Sequence, residues 1–488
     1  MNGAGLDRGI RGMQIGAALI TAALWGALAA GVPVGIPGQW VWSRNDLPVR
    51  LWPAVAAGLV LIGIVFLMYR PELVGREGPL RGGRALVLLV AAVFLLQMAL
   101  LNAAGVPLLS PSAIIASPVA TTYYSVSLEL KDLREWVRTY PEHMAGLPYH
   151  ARTHPPGFVL LFLLVRCACQ TVAPRPPAVF AELAEALRQF GIGPSATDAL
   201  AAVVSPAVIS LLGALSLWPL SLLARELAGG TVGHAGTVLA GSIPALLVFG
   251  ASPDLVALLA TVLALWLGYS AWRRDSLPRA LLAGVVSGIG LFLTFGLLAL
   301  MGWVWVWLAL GLLSSADRRA AARRAARVAA GAAVGIAGYY LVLYLSLGYR
   351  PFAVARQALF AHHGVTTAEA ARSYLAWVLM DPVETAVFLG LPLAVAAVWA
   401  GIRLRRDPGL GRLRLFLVSW LVTVALLDLS GTVRGEVGRI WLFLMWPAAL
   451  VAGAGLGENR GRAAAALVAL QMAQAILMRH YLTFYMVM

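Results

Sequence analysis

Apolar blocks of about 17 to 25 residues recur along this chain, broken by short polar segments, and each is long enough to cross roughly 30 Å of hydrocarbon. The pattern predicts helical spans at 14–34, 51–70, 86–105, 199–224, 230–250, 254–272, 280–298, 299–313, 328–346, 383–402, 414–430, 440–456 and 463–483. The fold class expected is therefore an all-α polytopic membrane protein with about thirteen transmembrane helices. The break between 280–298 and 299–313, at Thr294-Phe295-Gly296, is the weakest. The first block is long, lacks a small-residue cleavage site and is followed by further spans, so it reads as a span and not as a removed leader.

One apolar run resists this reading. Residues 157–173 carry Arg166 in the middle, where an arginine facing lipid is costly. Charge decides the matter. If the N-terminus is inside and 157–173 does not cross, the inside segments hold 22 of the 37 basic residues against 8 of the 22 acids, net +14. The remainder then nets +1. If the run did cross, the later clusters Arg273/Arg274/Arg279, Arg318/Arg319/Arg323/Arg324/Arg327 and Arg403/Arg405/Arg406 would all face outward. The run is thus expected as a re-entrant or juxtamembrane helix on the outer face. The same distribution explains the net charge of +15 by anionic lipid and excludes nucleic acid as the partner. Composition agrees: 60% of residues are hydrophobic and 12% charged. Cys167 and Cys169, two apart on a helix, point to different faces and suit apolar packing better than a bridge or a metal.

The longest polar interruption runs from about 102 to 157 and holds three of the seven histidines, His143, His150 and His154, and the single lysine, Lys131. With 174–198, which reads as a short interfacial helix, it makes a large outer loop over 106–198. Polar groups gather on the outer face in four places: this loop, the neighbourhood of Asp254, the segment 347–382 and the turn 428–439. Each admits two readings. Asp254 follows Pro253 at a helix start, where the macrodipole alone favours an acid; it can also be a general base or a metal ligand at the interface. His154-Pro155-Pro156 can be simple helix punctuation, or a rigid turn that fixes Arg152 and His154 against an anionic group. Arg434, Glu436 and Arg439 can form a solvated turn. The positive-inside bias works against arginine there, however, and guanidinium binds phosphate through two parallel bonds. His362 and His363 are weak metal candidates. Glu129 and Asp132 fall among charges that suit the wet face of a surface helix.

These elements, taken in order, form a pattern. A span at 86–105 precedes a long outer loop, then His154-Pro155-Pro156-Gly157 opens an apolar helix. A span ends inside at Leu223-Ala224-Arg225-Glu226-Leu227, another containing Pro244 ends outside before Asp254, and a glycine-rich span AGVVSGIGLFLTFG follows. This resembles the GT-C superfamily of integral-membrane glycosyltransferases, in particular its protein O-mannosyltransferase and lipid A aminoarabinose transferase branch. The likeness covers about 86–313 and extends loosely to the Arg434–Arg439 turn. It implies residues 1–85 as an N-terminal two-helix addition, 86–313 as the catalytic membrane module and 314–488 as a module completing a lipid-donor site.

The resemblance implies transfer of a sugar from a polyprenyl-phosphate donor to a hydroxyl of a glycan, lipid or protein. The reaction would take place on the outer face of the cytoplasmic membrane. The family's second-loop acid falls on Asp254, and the residue before its Pro-Pro on His154. Its main catalytic acid, early in the first outer loop, meets Ala120-Thr121-Thr122-Tyr123-Tyr124, which has no acid. The base is therefore expected at Asp254, Glu129 or Asp132, and the phosphate at Arg152, His154, Arg434 and Arg439 with Glu436 orienting a guanidinium. Tyr123, Tyr124, His150, His362, His363, Arg372 and Tyr374 are further donor or acceptor contacts. No cofactor is required by this reading, and a divalent metal ion is admitted. The alternatives are a lipid-linked-sugar transporter, which would need polar residues along a mid-membrane path, and a scaffold that kept the fold and lost its acid.

Overall fold

The structure is a computed structural model and describes residues 3–74, 83–189, 193–364, 372–404, 410–456 and 461–485. The chain is a multi-pass helical membrane protein. Its only sheet among the described residues is a two-stranded antiparallel hairpin, Gly35–Ile36 with Trp40–Val41. Among the described residues, eight helices are long and apolar enough to cross a membrane, and a bent pair, Tyr374–Leu389 with Leu391–Leu404, makes nine. The remaining expected spans fall on shorter apolar helices, Trp52–Met68, Leu277–Leu293 and Leu442–Leu456, or on a broken one, Gly230–Ala240 followed by Pro244–Val248. Length and composition alone therefore do not reach the expected thirteen. The weak break is real: Thr294 is extended, and a 3-10 turn at Phe295–Leu297 separates Leu277–Leu293 from Leu298–Leu313.

Broken helices inside an apolar interior leave peptide groups that water cannot reach, so something else must bond them. Buried polar side chains from distant helices do this. Gln97 donates to Leu246 O at 2.8 Å, in the short Pro244–Val248 helix. Arg479 donates to Leu100 O at 2.9 Å, at the end of Arg84–Leu101. The sharpest case is the 104° bend at Gly390. There Gln471 donates to Leu389 O at 2.9 Å, and Gln474 donates to Val387 O at 2.7 Å. Gln474 also accepts from Leu391 N–H at 2.9 Å. Gly390 has φ +94°, and a Cβ there would collide with the Gln471 amide, so the corner needs glycine.

The run with Arg166 forms a helix, Gly157–Val172. Arg166 is buried within the protein and does not face lipid. Its Nε donates to Asp198 Oδ1 at 2.9 Å, and Nη1 donates to Ser127 O. Tyr124 donates to Asp198 O, and Asp198 completes a capping box with Ser195 at the start of Ala196–Leu215. This knot ties the long loop to the helices Gly157–Val172 and Ala196–Leu215. It places Tyr124 in a structural role, turned away from the cavity described below.

The outward faces of Arg318–Leu347 carry Val334, Leu341, Val342 and Leu345 exposed, as lipid-facing helices should. The N-terminal hairpin docks at one end of the bundle. Gln39 Oε1 accepts from Ser373 N–H at 2.7 Å and from Trp377 Nε1–H at 3.0 Å.

Candidate functional site

Three loops and a helix start meet around a cavity of about 370 Å³. Tyr123 comes from the long loop 106–156, and Tyr149, His150, Thr153 and His154 from the turn before Pro155-Pro156. Asp254 opens the Asp254–Arg274 helix, and His362 comes from the Pro351–Gly364 helix. Arg372, Arg434, Glu436 and Arg439 form the far wall. Phe158, Ala257, Leu298, Leu359, Leu427 and Ile440 make the rest apolar.

The charged groups form a chain. Asp254 Oδ2 lies 3.7 Å from Arg439 Nε. Arg439 Nη2 reaches Glu436 Oε2 at 3.3 Å, and Glu436 Oε1 accepts from Arg372 Nη2 at 3.0 Å. Arg434 donates Nη1–H to Arg372 O at 2.6 Å and Nε–H to Gly431 O at 3.1 Å, with its guanidinium 5.7 Å from the Tyr374 ring. Arg372 packs against Trp40 and Trp377, 5.5 and 5.8 Å from their rings. Asp254 also accepts from Ser252 Oγ–H at 2.6 Å.

Burial works against the charge on Arg439, but Asp254 and Glu436 more than offset it and hold the guanidinium above its ordinary value. Burial, with the Asp254 charge, raises Tyr123 well above a normal phenol, so it remains an O–H donor. His150 is driven well below 6.5 by burial, then by Arg439 and His154. His154 is pushed down to about 4, first by burial, with Asp254 pulling the other way. Its Nδ1 lies 2.9 Å from His150 O, an atom that can only accept. Nδ1 therefore carries the proton and Nε2 presents a lone pair. Burial thus biases His154 toward its neutral form.

The other expected residues are placed as follows. Glu129 is exposed at the end of Tyr123–Leu128, and Asp132 caps Leu133–Arg138 by accepting from Glu135 N–H at 2.9 Å. Neither lines the cavity, because each belongs to the wet surface of the loop. Arg152 sits 5.7 Å from the Tyr149 ring and does not line it either. Tyr374 supports Arg434 from behind and donates to Leu429 O at 2.6 Å. His362 Nε2 donates to Thr432 O at 2.8 Å, and the His363 side chain lies outside the described residues. No three His, Cys, Asp or Glu among the described residues converge as a metal ion would need, so the divalent ion admitted above finds no ligand set here.

Solved structures similar to this chain include an oligosaccharyltransferase and ArnT. One is the Archaeoglobus fulgidus oligosaccharyltransferase, crystallised with zinc and sulfate: TM-score 0.43, 15% identity, 77% of this chain and 53% of that one. The other is ArnT from Cupriavidus metallidurans in its apo state: TM-score 0.41, 15% identity, 76% of this chain and 59% of that one. The chain spans between half and two thirds of the length of each. No family model and no curated protein matches the sequence.

Sequence reasoning missed the aromatic support from Trp40 and Trp377. It also missed Tyr485, whose phenol is raised by burial and lies in the field of Arg439 and Asp254. Asp381 and Glu384 were missed as well, although buried behind the arginine turn. The spacing 377, 381, 384, 388 puts four side chains on one helical face and was the available signal.

Proposed function

We propose that this protein is a membrane glycosyltransferase that passes a sugar from a polyprenyl-phosphate donor to an acceptor hydroxyl, on the extracytoplasmic face of the cytoplasmic membrane. The observation that carries this is the run Asp254–Arg439–Glu436–Arg372, with Arg434 beside it, along one wall of a cavity that is otherwise apolar. Two carboxylates balance two of the three arginines, which leaves a surplus of one positive charge for an anionic group. An apolar wall suits a prenyl chain, and the positive-inside asymmetry supports an outward opening.

In this reading the acceptor oxygen bonds to the anomeric carbon as the bond from that carbon to the phosphate oxygen breaks. The electron pair leaves with the phosphate, whose charge grows from one negative toward two. Arg439 and Arg434 are the groups suited to meet that growth. The acceptor proton goes to Asp254, the carboxylate of the run that Arg372 does not engage, and the His154 Nε2 lone pair is the alternative base. A positioned base of this kind contributes about 100- to 10,000-fold.

The test is direct. Purified protein given polyprenyl-phosphate-linked sugars and a hydroxyl acceptor should release polyprenyl phosphate, and mass spectrometry of co-purifying lipid should find a donor of that class. Absence of turnover with every such donor, and of any prenyl phosphate in the preparation, would remove the proposal.

A further inference from the structure

The turn that presents Glu436 and Arg439 has an unfavourable backbone. Gly435 has φ +81°, and Glu436 has φ +62°, a left-handed conformation that is unfavourable for a residue with a Cβ. Such a conformation persists only when the surroundings impose it. The imposing element is one face of Tyr374–Leu389. Trp377, Asp381, Glu384 and Phe388 follow at steps of four, three and four, so they line up on that face. Trp377 covers Gly435, where an added Cβ would stand 2.7 Å from the ring, and Phe388 covers Gly438 as closely.

Between the two rings, two carboxylates take hold of the turn's backbone. Asp381 Oδ1 accepts from Gly435 N–H at 2.9 Å. Glu384 Oε1 accepts from Gly438 N–H at 3.0 Å and from Trp42 Nε1–H at 3.1 Å. The two amides flank Glu436 on either side, so the strained residue is pinned at both ends. Both acids are almost wholly buried, at 1% and 0% exposed, where an acid without a purpose would be costly.

We propose that Asp381 and Glu384 are positioning residues for the arginine turn. By holding the Gly435 and Gly438 amides they fix Glu436 in the conformation that lets one carboxylate pair with both Arg372 and Arg439. They thereby aim Arg439 at the anion site. The role at the anion rests on the function proposed above, whereas the hold on the turn does not.

Hydrogen exchange of the full-length protein, read at the Gly435 and Gly438 amides, tests the hold. Titration with decyl phosphate, a single-chain alkyl phosphate, tests its consequence. In the wild type both amides should exchange slowly although neither belongs to a regular helix hydrogen bond. Asp381→Ala should speed exchange across 431–440 and weaken decyl phosphate about 10-fold or more, while Asp381→Asn, which keeps the acceptor oxygen, should restore both to within about threefold. Glu384→Ala and Glu384→Gln should behave in the same way at Gly438. Fast exchange at these amides in the wild type, a measurement that needs no variant to fold, overturns the proposal. So does an alanine pair that leaves exchange and binding unchanged. If the wild type binds no decyl phosphate but the exchange pattern is as stated, the hold stands and the anion reading of the cavity is what fails.

Discussion

Asp254→Asn separates two roles by size. The substitution keeps the side chain's shape and its bond from Ser252 Oγ–H, but removes the charge. If Asp254 merely steadies Arg439, the loss should be small. The pair is 3.7 Å long with side chains 16% and 25% exposed. At an effective dielectric of about 20 its gross attraction is roughly 4 kcal/mol, but the net worth of a partly wet pair is about 1 kcal/mol. Arg439 also keeps Glu436 at 3.3 Å. A steadying role therefore predicts a loss of about fivefold, most of it in donor affinity. If Asp254 is the base, turnover should fall about 100-fold or more with donor affinity little changed.

The assay is release of polyprenyl phosphate at saturating donor, followed from pH 3 to 9. The residual activity carries a second signature. The Asp254 carboxylate raises His154, so its removal lowers His154 further below about 4. His154 is then neutral to still lower pH, and any residual rate that uses its lone pair should persist further into acid than in the wild type. A fivefold loss confined to donor affinity, with an unmoved acid limb, would refute the assignment of Asp254 as base.

Three further outcomes are expected. Arg439→Ala and Arg434→Ala should each weaken donor binding by about 10- to 150-fold in a lipid-phosphate titration, with Lys restoring only part, because an ammonium lacks the planar fork. Asp198→Ala should cost about 3–5 kcal/mol in thermal or denaturant unfolding by stranding buried Arg166, and adding Arg166→Met should recover much of it. In a Cys167→Ser background, Ala186→Cys and Ser314→Cys should be labelled from opposite sides of the membrane; labelling from the same side would invert the orientation on which the outward-facing site depends.

What could be read from the sequence follows from where information is stored in such a chain. Apolar blocks reveal themselves by length, and nearly all the expected spans correspond to helices. Their breaks do not, because the groups that satisfy a broken helix stand elsewhere: Gln471 and Gln474 are some eighty residues from the bend they complete. Arg166 was a puzzle for the same reason, its partner Asp198 lying in another helix. Asp254, His150, His154, Arg434, Glu436 and Arg439 were legible because polar groups at the ends of apolar blocks stand out. Glu129 and Asp132 stood out equally and lie outside the cavity's lining, since composition cannot tell a wet surface from a cavity wall. Asp381 and Glu384 were lost to a boundary. A span drawn to begin at 383 put one acid in a loop, hid the other in a helix, and made the spans look emptier of acids than they are.

The glutamine-completed corner at Gly390 also constrains the order of assembly. The peptide groups of Val387, Leu389 and Leu391 find side-chain partners on Gly461–Tyr481, a helix made some seventy residues after the corner. Until that helix arrives, the elbow must remain open, sheltered by an insertase, or wet. The same late helix closes on the beginning of the chain, where Asn45 bonds His480 O and Thr483 N–H bonds Ser43 O. Residues 43–45 and 480–483 thus join like a clasp across the bundle. A nascent chain halted before residue 461 should remain protease-sensitive at the elbow, however many of its spans are already in the membrane.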